Sequence, residues 1–170
     1  MYLTINDDLN LPSVGEQKNN HYWCSLPHDW PDRHLIRLIV EDNKGEPIES
    51  ANSVRKLINI DKVNAVIGSV ASSNTLAGAP IAQQAEVPLL TPASTNEAVT
   101  KTGNFISRTC FTDGFQGVVM ARFAFNNLKK RNVAIIIDNS SDYSKGLAAV
   151  FKKEFQRLGG KLVSQRDFAY

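Results

Sequence analysis

Two cysteines in 170 residues, Cys24 and Cys110, leave no disulfide framework and no CxxC metal or redox pair. No apolar run approaches the roughly 20 residues that a membrane-spanning helix requires. The opening stretch, Met1 to Asp8, lacks a basic start followed by an apolar segment, so it is not expected to act as an export signal. A net charge of +2 is too small to imply nucleic acid or an anionic membrane surface as a partner. The one basic run, Lys129, Lys130 and Arg131, reads as a solvated helix end, where cations favour the helix dipole. Glycine fingerprints of the GxGxxG type after a strand, a Walker loop and a GxSxG elbow are all missing. With no nucleophile–base pair either, the chain is expected to be neither an enzyme nor a cofactor carrier. His21, Cys24, His28 and His34 gather in one stretch, but they do not form the paired spacings of a metal site, and no metal is expected.

What is present is an ordinary globular balance, 42% hydrophobic and 21% charged residues. Residues 1–36 are polar and acidic, broken by Pro12, Gly15, Pro27 and Pro31, and are read as a loosely ordered, unassigned segment. From Leu35 onward, short apolar runs alternate with helical patterns. Residues 35–40 read as a strand, and Pro47 suits the first turn of a helix whose stripe is Ile48, Ala51, Val54 and Ile58. Residues 65–67 and 87–90 are further strands, with Ser72 or Ser73 capping a helix between them and Ser94 with Glu97 making a capping box after them. Residues 105–108 form the next strand, and a helix runs from Phe115 to about Leu128. Residues 133–137 form a continuous apolar strand of the kind parallel sheets bury. The following helix places Leu147, Phe151, Phe155 and Leu158 on one face and stops at Gly159 and Gly160, with a strand starting at Lys161. This alternation predicts an α/β fold of parallel sheets with flanking helices.

Two junctions, residues 68–75 and 91–97, hold the chemistry. Each follows a strand and is dense in small hydroxyl residues. Ligands of such sheets sit at the carboxyl ends of strands, where free N–H groups and helix N-termini favour an anion. Ser72 and Ser73 are suited to a carboxylate, the Ala93 carbonyl to an ammonium group, and the Thr95 hydroxyl and N–H to either; Ser94 lies between them. Tyr143, after the strand that ends near Asp138, is an aromatic able to close over a ligand. The same serines and threonines are also ordinary helix caps, and Tyr143 taken alone suits packing equally well.

From about Leu38 to the end, the chain resembles the type I periplasmic binding proteins, in particular the branched-chain amino-acid substrate-binding family of ABC transporters. The resemblance is carried by Glu41 to Pro47, Val66 to Gly68 with Ser72 and Ser73, Thr91 to Asn96, the segment from Arg108 through Asp113 and Gln116, and Asp138 with Tyr143 to Leu147. It implies two Venus-flytrap lobes clamping an amino acid, both incomplete here: part of lobe one in 37–111 and part of lobe two in 112–170. It also implies an extracytoplasmic location and an ABC permease as membrane partner; a sensor or receptor ligand-binding domain of the same fold and a truncated remnant without binding activity are the alternative readings. By that resemblance Ser72 and the N–H groups near Ser73 hold the α-carboxylate, Ala93 and Thr95 hold the ammonium, and Tyr143 reaches across from the second lobe. Open sheet edges in incomplete lobes also imply self-association.

Overall fold

The structure, a computed structural model, describes the backbone of residues 2–6, 21–25 and 35–169, and the side chains of residues 37–169. Two short strands, β1 (Tyr2–Asn6) and β2 (His21–Ser25), precede the βα alternation. Then follow β3 (Leu35–Ile39), α1 (Pro47–Asn59), β4 (Ala65–Ile67), α2 (Ser72–Gln84), β5 (Leu89–Thr91), α3 (Ala98–Lys101) and β6 (Ile106–Arg108). These strands form one six-stranded sheet in the order β2-β3-β1-β4-β5-β6.

The β4–β5 and β5–β6 pairs are parallel, as the alternation predicts. The loosely ordered segment expected over residues 1–36 is corrected at β1 and β2. β1 lies antiparallel between β3 and β4, and β2 lies antiparallel on the other side of β3. Strand pairing explains why local pattern missed them: a five-residue strand in polar surroundings is held by ladder bonds to neighbours far along the chain. The His21, Cys24, His28 and His34 group lies outside the residues whose side chains are described.

The core of this unit is Ile39, Val54, Leu57, Ile58, Val63, Val66, Ala79, Ala82, Leu89, Val99 and Ile106. Leu57 is wholly buried, a burial that stabilises by about 1.5–3 kcal/mol. Pro47 opens α1 as expected, but the expected stripe shifts, because Ile48 is 75% exposed. Ser50 takes the buried place and donates its hydroxyl to the Asn74 carbonyl at 2.9 Å. That bond ties α1 to the start of α2. The two helices approach so closely that a Cβ at Gly78 would stand 2.8 Å from Val54 Cγ2.

A second unit follows: α4 (Asp113–Arg122) with a π-helical turn (Phe123–Asn127), β7 (Asn132–Asp138), α5 (Asp142–Arg157) and β8 (Lys161–Phe168). β7 and β8 form a parallel two-stranded sheet. The burial expected for residues 133–137 is corrected: only Ile137 of them is buried and Ile136 is 73% exposed, because two strands and the helices beside them do not cover both faces. The long helix expected to start at Phe115 is thus an α-helix only to Arg122. Phe155, 1% exposed, meets Phe125 edge-on with centroids 5.9 Å apart and stacks on Phe151 at 5.5 Å. α5 ends as its sequence predicts. Gly159 takes φ +94°, and the Gly160 N–H reaches back to the Phe155 carbonyl at 2.9 Å, closing the helix end.

Candidate functional site

The first junction begins with a turn that only glycine accommodates easily, Gly68 at φ +135°. The next residue's carbonyl, on Ser69, collects hydroxyl hydrogen bonds from Thr91 (2.7 Å), Thr75 (3.1 Å) and Ser94 (3.1 Å). Thr91 and Ser94 are fully buried, and Thr75 is 1% exposed, so this network sits inside the fold and fixes both junctions to each other. Arg108 braces the second junction by donating to the Ser94 carbonyl at 2.9 Å and to Thr100 Oγ1 at 2.8 Å.

The expected caps are corrected here. The N-cap of α2 is Ala71, with no side-chain cap. Ser72 Oγ instead accepts from the Asn96 N–H at 3.3 Å, and Ser73 Oγ accepts from the Asp142 N–H at 3.0 Å. The capping box of Ser94 and Glu97 does not form either, since Ser94 is engaged with Ser69 and α3 starts after an uncapped Glu97. Long-range partners outcompete local capping at each of these hydroxyls. The N–H groups opening α2 therefore keep no partner within their own helix.

A cleft of about 360 Å³ lies above these junctions, a size within the range of small-molecule sites. It brings together Ser72, Ala93, Thr95 and Tyr143, with Val70, Ala71, Phe111, Gln116 and Ser141 completing its walls. Ser73 and Ser94 are not among its lining residues. The starts of α2, α4 and α5 all reach it, through Ser72, Gln116 and Tyr143 respectively. Three helix N-termini thus converge on one space, and no cationic side chain lines it.

Thr95, 6% exposed, donates its hydroxyl to Asp113 Oδ1 at 2.6 Å, and the Asp113 N–H returns a bond to the Thr95 carbonyl at 2.9 Å. With its one hydrogen committed to the carboxylate, the Thr95 hydroxyl offers only lone pairs to other groups. Asp113 is 3% exposed, and its second oxygen, Oδ2, has no hydrogen-bond partner. Burial pushes its carboxyl above the ordinary 3.8; the Thr95 bond and the nearby Arg108 oppose that rise, and Glu97 adds to it. On the opposite wall Gln116 Nε2 donates to Tyr143 Oη at 3.2 Å, while Gln116 Oε1 is buried without a partner. Sequence reasoning named the segment around Asp113 and Gln116 only through the resemblance. Phe111 and Ser141 carried no signal, because nothing local distinguishes them from loop residues.

Two other hollows adjoin the site. One of about 550 Å³ runs past Glu41, Asn43, Ser69 and Asn74 and shares Val70 and Ala71 with the cleft. The other, about 340 Å³ and mainly apolar, lies among Met120, Ile135, Leu147 and Phe151 and touches Tyr143 from behind. Among the described residues, no group of three or more His, Cys, Asp or Glu is placed to hold a metal, and no helix is long and apolar enough to cross a membrane.

Residues 33–170 match the sequence profile of a family described as periplasmic binding protein. An amino acid binding protein of Pseudomonas aeruginosa is 35% identical over 129 residues, covering 75% of this chain and 34% of that protein. A solved structure of a leucine binding protein, LivK, from Thermotoga maritima is 45% identical with a TM-score of 0.76, covering 78% of this chain and 37% of its own. The branched-chain amino acid transporter substrate binding protein LivJ of Streptococcus pneumoniae, solved with isoleucine, is 33% identical with a TM-score of 0.72 over 78% and 37% of the two chains. A solute binding protein of an ABC transporter from Rhodopseudomonas palustris, solved with 3,4-dihydroxybenzoic acid, is 29% identical with a TM-score of 0.71 over 77% and 36%. The chain thus spans about a third of the length of the proteins it matches. Its strand order from β4 to β6, its hydroxyl-rich junctions and these matches agree: the chain belongs to the periplasmic binding protein family.

Proposed function

We propose that this chain forms the amino-acid-binding cleft of a non-catalytic ABC-importer component, with a branched-chain amino acid as ligand. The observation that carries the reading is the meeting of Ser72, Ala93, Thr95 and Tyr143 around one cleft. The carboxylate goes to Ser72 and the free N–H groups opening α2, where the helix dipole favours an anion. The ammonium goes to the Ala93 carbonyl and to Thr95, whose hydroxyl, already donating to Asp113, is left as an acceptor. Tyr143, joined to Gln116, closes the opposite side.

In this reading residues 37–111 belong to one lobe and residues 112–170 to the other. Only a closed arrangement gives the ligand contacts from both, so ligand shifts the lobes toward closure and toward the form a membrane permease recognises. Ligands named for relatives support the class: isoleucine in the Streptococcus protein and an aromatic acid in the Rhodopseudomonas protein share a carboxylate.

Thermal melts of the chain with a panel of amino acids and benzoic acids test the reading. Leucine, isoleucine or valine at millimolar concentration should raise the transition, since a ligand of the folded state stabilises it by mass action. Thr95→Ala should weaken that binding by about 1–3 kcal/mol by leaving the ligand's ammonium and Asp113 without a partner. A panel in which no amino acid moves the melt, or an unchanged affinity in Thr95→Ala, would overturn the assignment.

A further inference from the structure

Residue Asp142, which leads Tyr143 into the cleft, is held by both of its backbone groups from the six-stranded unit. Its N–H donates to Ser73 Oγ at 3.0 Å, and its carbonyl accepts from Asn96 Nδ2 at 2.9 Å. These partners sit at the two hydroxyl-rich junctions, far from Asp142 in sequence. One turn further along α5, Gly146 faces Asn96 of the same unit and Asp113, the first residue of α4. A Cβ there would stand 2.7 Å from Asp113 Oδ2 and 3.1 Å from Asn96 Nδ2. Both side chains are tied down by another bond. Asp113 is held by Thr95, and Asn96 is held by Asp142. The opening turn of α5 therefore lies close against Asn96 of the six-stranded unit and against Asp113, and a side chain at residue 146 would force one of them to shift.

We propose that Ser73 and Asn96 are positioning residues that dock the first turn of α5, with Gly146 as the required clearance, and so set Tyr143 opposite Ser72 and Thr95. Ser73 then acts on the site without lining it. Its hydroxyl accepts from the second unit, which accounts for its absence from the cleft wall. Asn96 does the same from the other junction. The consequence for affinity rests on the amino-acid reading above; the docking does not.

Spin labels at the exposed positions Asn52 on α1 and Lys153 on α5, introduced as Asn52→Cys and Lys153→Cys with Cys24 and Cys110 replaced by Ser, report the separation of the two units. The parent chain should give one narrow distance distribution. Asn96→Ala, Ser73→Ala and Gly146→Ala should each broaden or lengthen it, with helix content by circular dichroism unchanged. Ser73→Thr, which keeps the hydroxyl, should restore the parent distribution. In parallel, nuclear magnetic resonance titration with L-leucine should show about tenfold weaker binding in Asn96→Ala, the loss expected when a hydrogen bond that supports closure is removed, and weaker binding in Gly146→Ala, where the added methyl crowds Asn96 and Asp113. If Gly146→Ala does not fold, the other two variants decide the matter. Parent-like distances in Asn96→Ala and Ser73→Ala would overturn the docking. Altered distances with parent affinity for leucine would overturn its role in binding. No leucine binding by the parent would defeat the amino-acid reading alone, and the distances would still decide the docking.

Discussion

The two walls of the cleft are built on different foundations. Behind Ser72 and Thr95 stands a continuous core from Ile39 to Ile106, with Leu57, Ala79, Ala82 and Val99 wholly buried. Behind Tyr143 and Gln116, the buried apolar residues of the second unit are Ala121, Ile137, Ala148 and Phe155, while Ile136 and Val163 on its two strands are 73% and 63% exposed. Apolar area removed from water is the main stabilising term in folding, so the second wall has less holding it together. Its position also depends on contacts it makes with the first wall. The pairing of Ser73 and Asn96 with Asp142, and of Thr95 with Asp113, supplies those contacts. The sharper the difference between the walls, the more the site's geometry depends on these few hydrogen bonds.

The largest test of this contrast is truncation of one core residue on each side. Phe155→Ala should destabilise by about 3–5 kcal/mol and Leu57→Ala by about 2–5 kcal/mol, each leaving a cavity. Hydrogen exchange should then separate them. Phe155→Ala should expose the amides of β7 and α5 while those of β4 and α2 stay protected, and Leu57→Ala should expose both units. Equal loss everywhere after Phe155→Ala would erase the distinction between the walls. A smaller effect is expected in the unmodified chain, where β7 and β8 amides should exchange at least about tenfold faster than those of β4 and β5, as fits elements with sparse burial. Equal protection would contradict the contrast.

The smallest effect is electrostatic. Glu154, gripped by Arg157 and Arg122, has its carboxyl lowered from 4.5 to about 2. A depressed carboxylate stabilises fully above its unfolded value and loses that contribution as pH falls from about 4.5 toward 2. Both arginines are more than half exposed, so solvent screens the pairs and the effect is modest. Glu154→Gln should therefore lower the melting temperature slightly at pH 6, with the difference vanishing near pH 2. Asp113, on the seam between the walls, behaves oppositely: burial raises its carboxyl, so its contribution is greatest in acid and is lost as pH rises. A Glu154→Gln difference that grows on acidification would reverse the assigned sign.

Much of this was legible in the order of residues. Pro47 announced α1, Gly159 and Gly160 announced the end of α5, and residues 133–137 announced β7, because each signal is a matter of local dihedral freedom or period. β1 and β2 were not legible, since their partners lie elsewhere in the chain. Among the site candidates, Ser72, Ala93, Thr95 and Tyr143 meet at the cleft. Ser94 is consumed by the Ser69 carbonyl and Ser73 by Asp142, two hydroxyls that read identically to their neighbours in sequence.

The sequence alone thus determined the βα alternation, the start of α1 and the end of α5, and the hydroxyl-rich character of the two junctions, all consequences of local backbone preference and apolar period. Only the tertiary structure decided which hydroxyls face the cleft and which are spent inside the fold. It also decided that Asp113 commits the Thr95 hydrogen and that Gly146 leaves room for the first turn of α5. The physical reason is that a hydrogen bond satisfies whichever partner the packed fold places within reach, and no local spacing specifies a partner dozens of residues away.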